Sequence, residues 1–133
     1  MELLEVVKRI MPGIASKSTS SLEGSDTLIF DTDWVRTFNG VISISYPFKS
    51  NFQAAIKAEE FYKYLSKVKV DEIELTLEDN TCKVSDNKSE LGLVLAKTDE
   101  IQTYIQGLNL DSLVWKDLPN DFSKGLDLCK FSV

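Results

Sequence analysis

The chain of 133 residues contains no histidine. It therefore lacks the usual general base near neutral pH and the commonest zinc ligand. Catalysis would fall to carboxylates or lysines, which counts against an enzyme. Cysteine is almost as scarce: Cys82 and Cys129 stand far apart and match no metal-ligand spacing. They read as two reduced thiols in an intracellular, cytoplasmic protein rather than a disulfide framework. No apolar run approaches the roughly 20 residues of a membrane span. The start, Met1-Glu2-Leu3-Leu4-Glu5, has neither the basic opening nor the apolar core of a secretory signal. There is no glycine-rich phosphate loop and no nucleophile motif. Asp31-Thr32-Asp33 offers two carboxylates, but no third acid follows at calcium-loop spacing and no glycine falls in place, so it reads as a turn between strands. Ser16-Lys17 hints at Ser–Lys chemistry, yet it opens the polar run Ser16–Ser21, and ordinary loop composition accounts for it.

What remains is an ordinary globular composition, 43% hydrophobic and 27% charged, of a length that suits one domain. The net charge of −6 is unevenly spread. Residues 1–70 carry nine basic and eight acidic side chains, and residues 71–133 carry six basic and thirteen acidic. Lys57, Lys63, Lys67 and Lys69 form a local basic strip opposed only by Glu59 and Glu60. A largely acidic protein with one such strip would tolerate DNA on one face and repel it elsewhere. A solvated helix face with i,i+4 pairs such as Glu59–Lys63 gives the same pattern.

Periodicity orders the chain. Glu2 to Ile10 reads as a helix, with Leu3, Val7, Ile10 and Ile14 as its apolar stripe, Glu5 able to pair with Arg9, and Pro12-Gly13 ending it. Thr27–Asp31, Trp34–Phe38 and Val41–Tyr46 read as strands, with Asn39-Gly40 as a type I′ hairpin signal. Pro47–Gln53 reads as a connection. A second helix over Ala58–Val68 buries Phe61, Leu65 and Val68 and shows Glu60, Lys63 and Lys67. Strands follow at Ile73–Glu78, Thr81–Val84 and Leu91–Leu95, with a turn at Asp79-Asn80. Helix–strand–strand–strand thus occurs twice. Joined edge to edge, the halves give an α+β domain with both helices on one face of an antiparallel sheet and Lys8, Arg9, Lys63 and Lys67 on a shared outer helical surface. Asp99–Gly107 extends or flanks the sheet, Asn109–Leu118 is a connector anchored by Trp115, and Pro119 starts a further helix.

This order of elements resembles a DNA polymerase sliding clamp of the bacterial β-subunit type. Leu3-Leu4-Glu5-Val6-Val7 resembles the first ring-lining helix. Asp26-Thr27-Leu28-Ile29-Phe30 through Ser43-Ile44-Ser45 resembles the strands that follow it. Ile56-Lys57-Ala58-Glu59-Glu60-Phe61 resembles the start of the second helix. Val114-Trp115-Lys116-Asp117-Leu118-Pro119 and Phe131-Ser132 resemble the linker and opening of a second clamp domain. The chain departs from the family in starting its first helix almost at Met1, where bacterial clamps begin with a strand.

The resemblance implies a clamp-like N-terminal domain over residues 1–114, with repeats at about 1–50 and 51–107 and then a connector. Residues 115–133 would be the truncated start of a second domain. It implies a non-catalytic processivity factor without cofactor or metal, encircling duplex DNA irrespective of sequence. The partners would be a replicative DNA polymerase, a clamp loader and further subunits of a ring, with no membrane involved. The family's pocket for partner peptides lies in later domains and is not expected here. Lys8, Arg9, Lys63 and Lys67 would line the ring, and Lys17 resembles a basic loop residue that contacts DNA. The strand Leu91–Leu95 is the candidate joint between subunits, with Leu91 and Leu93 packing across it. The competing expectation is an α+β module that binds another protein and has no DNA role. A hydrolase with paired carboxylates fits least well.

Overall fold

The computed structural model describes residues 2–16, 22–108 and 112–132. Helix α1 spans Glu2–Ile10 and ends in a 3-10 turn, Met11–Gly13. Strands β1 (Thr27–Asp31), β2 (Trp34–Phe38), β3 (Ser43–Pro47) and β4 (Gln53–Lys57) follow, and β4 runs directly into α2 (Ala58–Lys67). Strands β5 (Glu74–Glu78), β6 (Thr81–Ser85) and β7 (Glu90–Val94) precede α3 (Asp99–Gln106) and α4 (Phe122–Cys129). Four strands thus follow α1 and three follow α2. No described helix is long and apolar enough to cross a membrane.

All strand pairs are antiparallel, in the orders β3-β2-β1-β4 and β5-β6-β7. The two sheets meet where Ile56 of β4 bridges Leu95, just beyond β7, and where the Ala96 N–H donates to the Ala55 carbonyl at 2.9 Å. One apolar core spans both. Leu3, Val6, Val7 and Ile10 of α1 and Ala58, Phe61 and Leu65 of α2 pack onto Leu28, Phe30 and Val35 of the first sheet, together with Cys82, Val84 and Leu93 of the second. Both helices thus lie on one face. Side chains alternate along a strand, so Ile29 and Ala55 point to the opposite face, where Ile101 of α3 closes a smaller cluster. Asp99–Gln106 is therefore a helix covering the back of the sheet, not an added strand.

Two local expectations change. Strand β4 fills the stretch between the connection read at Pro47–Gln53 and the second helix, where no strand is expected, and takes Gln53 from that connection. Its sequence, Gln-Ala-Ala-Ile-Lys, lacks the β-branched alternation that marks a strand, yet it pairs with β1 over five residues. The Asn39-Gly40 turn is not type I′, because only Gly40 has positive φ (92°). The loop runs over four residues, and the Asn39 side-chain oxygen accepts hydrogen bonds from the N–H groups of Val41 (3.0 Å) and Ile42 (2.8 Å). The tight turns at Thr32 and Asp79 do take positive φ, 48° at each.

The end of α1 is fixed by close packing. The buried Thr37 hydroxyl donates to the Ile10 carbonyl at 3.0 Å, one of the orphan acceptors at a helix C-terminus. Gly13 leaves room for it: a Cβ there would lie 2.1 Å from Thr37 Oγ1. Gly13→Ala is expected to destabilise the fold by about 1–3 kcal/mol through overpacking, read as a lower urea midpoint at unchanged slope.

The thiols differ in the same way. Cys82 is buried and burial pushes its pKa up, whereas Cys129 is exposed on α4. A raised pKa means less thiolate at neutral pH. A maleimide is expected to add once to the native protein, at Cys129, and twice in denaturant, as intact mass will show.

From residue 112 to residue 131 every described position is exposed, α4 included. The rest of the described chain supplies all of the core.

Candidate nucleic-acid interface

Helices α1 and α2 pack against each other and turn their polar faces outward. The helix periodicity that buries Leu3, Val7 and Ile10 leaves Glu2, Glu5, Lys8 and Arg9 exposed. On α2 it buries Phe61 and Leu65 and exposes Glu59, Glu60, Lys63 and Lys67. The four lysine and arginine residues expected on a shared surface are thus all exposed on this helical layer.

They do not stand alone. Each helix carries its acids in the first turn and basic residues in the last, the arrangement that suits the helix dipole. Lys8 Nζ lies 3.1 Å from Glu5 Oε1, and Lys63 Nζ lies 2.8 Å from Glu59 Oε1. The hydrogen bond that Lys63 donates to Glu59, and then the charge of that carboxylate, hold the Lys63 pKa above the ordinary lysine value. Glu5 pairs with Lys8 rather than with Arg9. The Arg9 guanidinium instead lies over the Tyr46 ring of β3, 5.7 Å from its centroid. Lys67 forms no ion pair among the described residues. The eight charges on the two outer faces formally cancel. Two of the cations are held by neighbouring acids, and two are available to an external anion.

Other expected residues fall elsewhere. Lys17 lies outside the described residues. Lys57, at the β4–α2 junction, is ion-paired with Asp26. Leu93 is 1% exposed and belongs to the core, and Leu91 packs against that core half-buried. Strand β7 has β6 on one side and the bridge to β4 on the other. The outer strands are β3 and β5, so Leu91 and Leu93 do not face a free joint. Alternation identifies a strand but not its neighbours, which is why β7 reads as an edge. The Tyr46 partner of Arg9 carries no local sequence signal, because their contact spans 37 positions. No group of acidic, cysteine or histidine side chains among the described residues could hold a metal ion.

Neither protein families nor curated proteins give a sequence match. Solved structures do match, and those compared are all bacterial clamps. The Helicobacter pylori β clamp in complex with 3,4-difluorobenzamide superposes with a TM-score of 0.57 at 18% identity, over 74% of this chain and 29% of that one. The same clamp bound to a DNA ligase peptide gives 0.57 at 15% identity, over 89% and 31%. The Pseudomonas aeruginosa DnaN sliding clamp (DNA polymerase III subunit beta) bound to griselimycin gives 0.57 at 11% identity, over 88% and 31%. The chain spans about three tenths of the length of these clamps. Its fold is that of a domain of the bacterial β sliding clamp.

Proposed function

We propose that this chain acts as part of a sliding clamp, a non-catalytic processivity factor that encircles duplex DNA and tethers a replicative polymerase. Lys8, Arg9, Lys63 and Lys67 face the phosphates. The observation that carries this reading is the paired helices on one face of a clamp-fold sheet, each presenting basic residues outward. Weak contacts to phosphate, without base contacts, are what a ring that slides requires. In the same reading Lys17 adds a further DNA contact, a clamp loader opens the ring, and self-association in the cytoplasm closes it through the outer strands β3 and β5. Residues 115–133, exposed throughout where described, begin a further clamp unit.

The test uses the full-length protein and its clamp loader on nicked circular duplex DNA, which is then linearised. Retention on circles with loss from linear DNA is the expected outcome. Equal retention on both forms, or none at low salt, would favour the second reading, a protein-binding module. That alternative draws on the formal neutrality of the helical face and the net charge of −6.

The internal acids give a further expectation. Exposed helix pairs are worth only about 0.2–1 kcal/mol each, so Glu5→Gln with Glu59→Gln is expected to tighten DNA binding by roughly two- to thirtyfold. The gain should shrink as salt rises. Fluorescence anisotropy with a duplex probe at two salt concentrations will read it.

A further inference from the structure

The back of the sheet, opposite α1 and α2, holds a half-open cavity of about 400 Å³ between β1, β2, β4 and α3. Its size is that of an ordinary ligand pocket. Arg36 of β2 enters it with a side chain only 26% exposed. A guanidinium has five donors, and those of Arg36 are poorly used. Its nearest acid, Asp31, stands 4.0 Å from Nη2, too far for a hydrogen bond, and its buried Nε has no partner. The guanidinium is steadied over the Trp34 ring at 6.0 Å. A largely buried cation with unmet donors is costly unless something completes it.

The rest of the lining says what would. Asp31 already accepts from Gln53 Nε2 at 3.2 Å and makes the pocket formally neutral, which disfavours a bare anion such as phosphate. Gln102 and Gln106 stand one helical turn apart on α3 and line the opposite wall. Gln102 Nε2 donates to Thr98 Oγ1 at 3.0 Å. The amide oxygens of Gln53 and Gln102 accept no hydrogen bond among the described residues. Separated charges ringed by amides match a carboxylate attached to a peptide backbone.

We propose that this cavity binds an acidic peptide segment, whose carboxylate takes the Arg36 fork while its backbone amides pair with the glutamines and Asp31. The planar guanidinium suits a two-oxygen acceptor, and a lysine would not replace it. The site lies on the face away from the paired helices, so it can fill whether or not that surface is occupied.

The test is NMR on the 15N-labelled 133-residue chain, following the Arg36 Nε–Hε and glutamine side-chain signals. The probes are the blocked tripeptides Ac-Ala-Glu-Ala-NH2 and Ac-Ala-Gln-Ala-NH2, and acetate. Saturable shifts with the glutamate peptide are expected, with binding weaker by roughly tenfold or more for the glutamine peptide and for Arg36→Gln. Should Arg36→Gln unfold, Gln102→Ala, on the exposed side of α3, serves instead and should weaken binding several-fold with backbone signals otherwise unchanged. No saturation, or an equal response to the glutamine peptide, overturns the proposal. Equal saturation by acetate overturns the peptide class and leaves a site for small carboxylates.

Discussion

Under the proposed function, reversing Lys63 and Lys67 to glutamate is expected to abolish measurable retention of the full-length protein on circular DNA, while the fold survives. Both side chains are exposed on α2 and neither contributes to the core. Each phosphate contact contributes about 0.9 to the slope of log affinity against log salt. Losing the pair therefore flattens that slope by roughly 1.8, before the added repulsion is counted. The two positions are not equivalent. Lys63 must leave Glu59, 2.8 Å away, to reach a phosphate, whereas Lys67 has no such neighbour among the described residues. The single variant Lys67→Glu should accordingly weaken binding more than Lys63→Glu. Titrating each variant against duplex DNA across a salt series will rank them. An unchanged slope for the double variant would remove both from the interface.

Phe61→Ala carries the largest expected effect on stability. Phe61 is fully buried in α2 and meets Phe30 of β1 edge to face, with ring centroids 6.2 Å apart at 85°. Phe30 also contacts Phe48 and Phe52, so one ring ties helix, strand and loop together. Truncating a buried phenylalanine costs about 3–5 kcal/mol, a large share of the ~5–15 kcal/mol by which a domain is stable. At this length the melting temperature should fall by roughly 10–20 °C. Differential scanning calorimetry on the purified variant will measure it. A fall of only a few degrees would mean that the helix layer contributes far less than its burial implies.

Elements with strong periodicity were legible in the sequence. The alternation through Leu75, Leu77, Cys82 and Val84 marks β5 and β6, and Leu3, Val7 and Ile10 mark α1. The basic residues of the helical face followed from the same periodicity, since what is not apolar on an amphipathic helix faces water. Strand β4 carries no such mark, because Ala54 and Ala55 have no strand preference. What calls for small side chains there is the packing of Ile101 from α3 onto Ala55. That contact spans 46 positions and leaves no local trace. The same limit applied to β7, whose neighbours are set by how the two halves join. Arg36 gave no signal either. An arginine in an alternating strand reads as an outward residue until a helix from far down the chain is placed over it.

The narrow seam between the two sheets has a mechanical consequence. Within each sheet, neighbouring strands register over three to five residues. Between the sheets, one bridge and the Ala96-to-Ala55 hydrogen bond carry the strand contact, while the helix layer packs across both. The seam is thus where the fewest backbone hydrogen bonds oppose a change of curvature. In a hydrogen-exchange experiment the Ala96 amide is expected to exchange well before the amides inside either sheet.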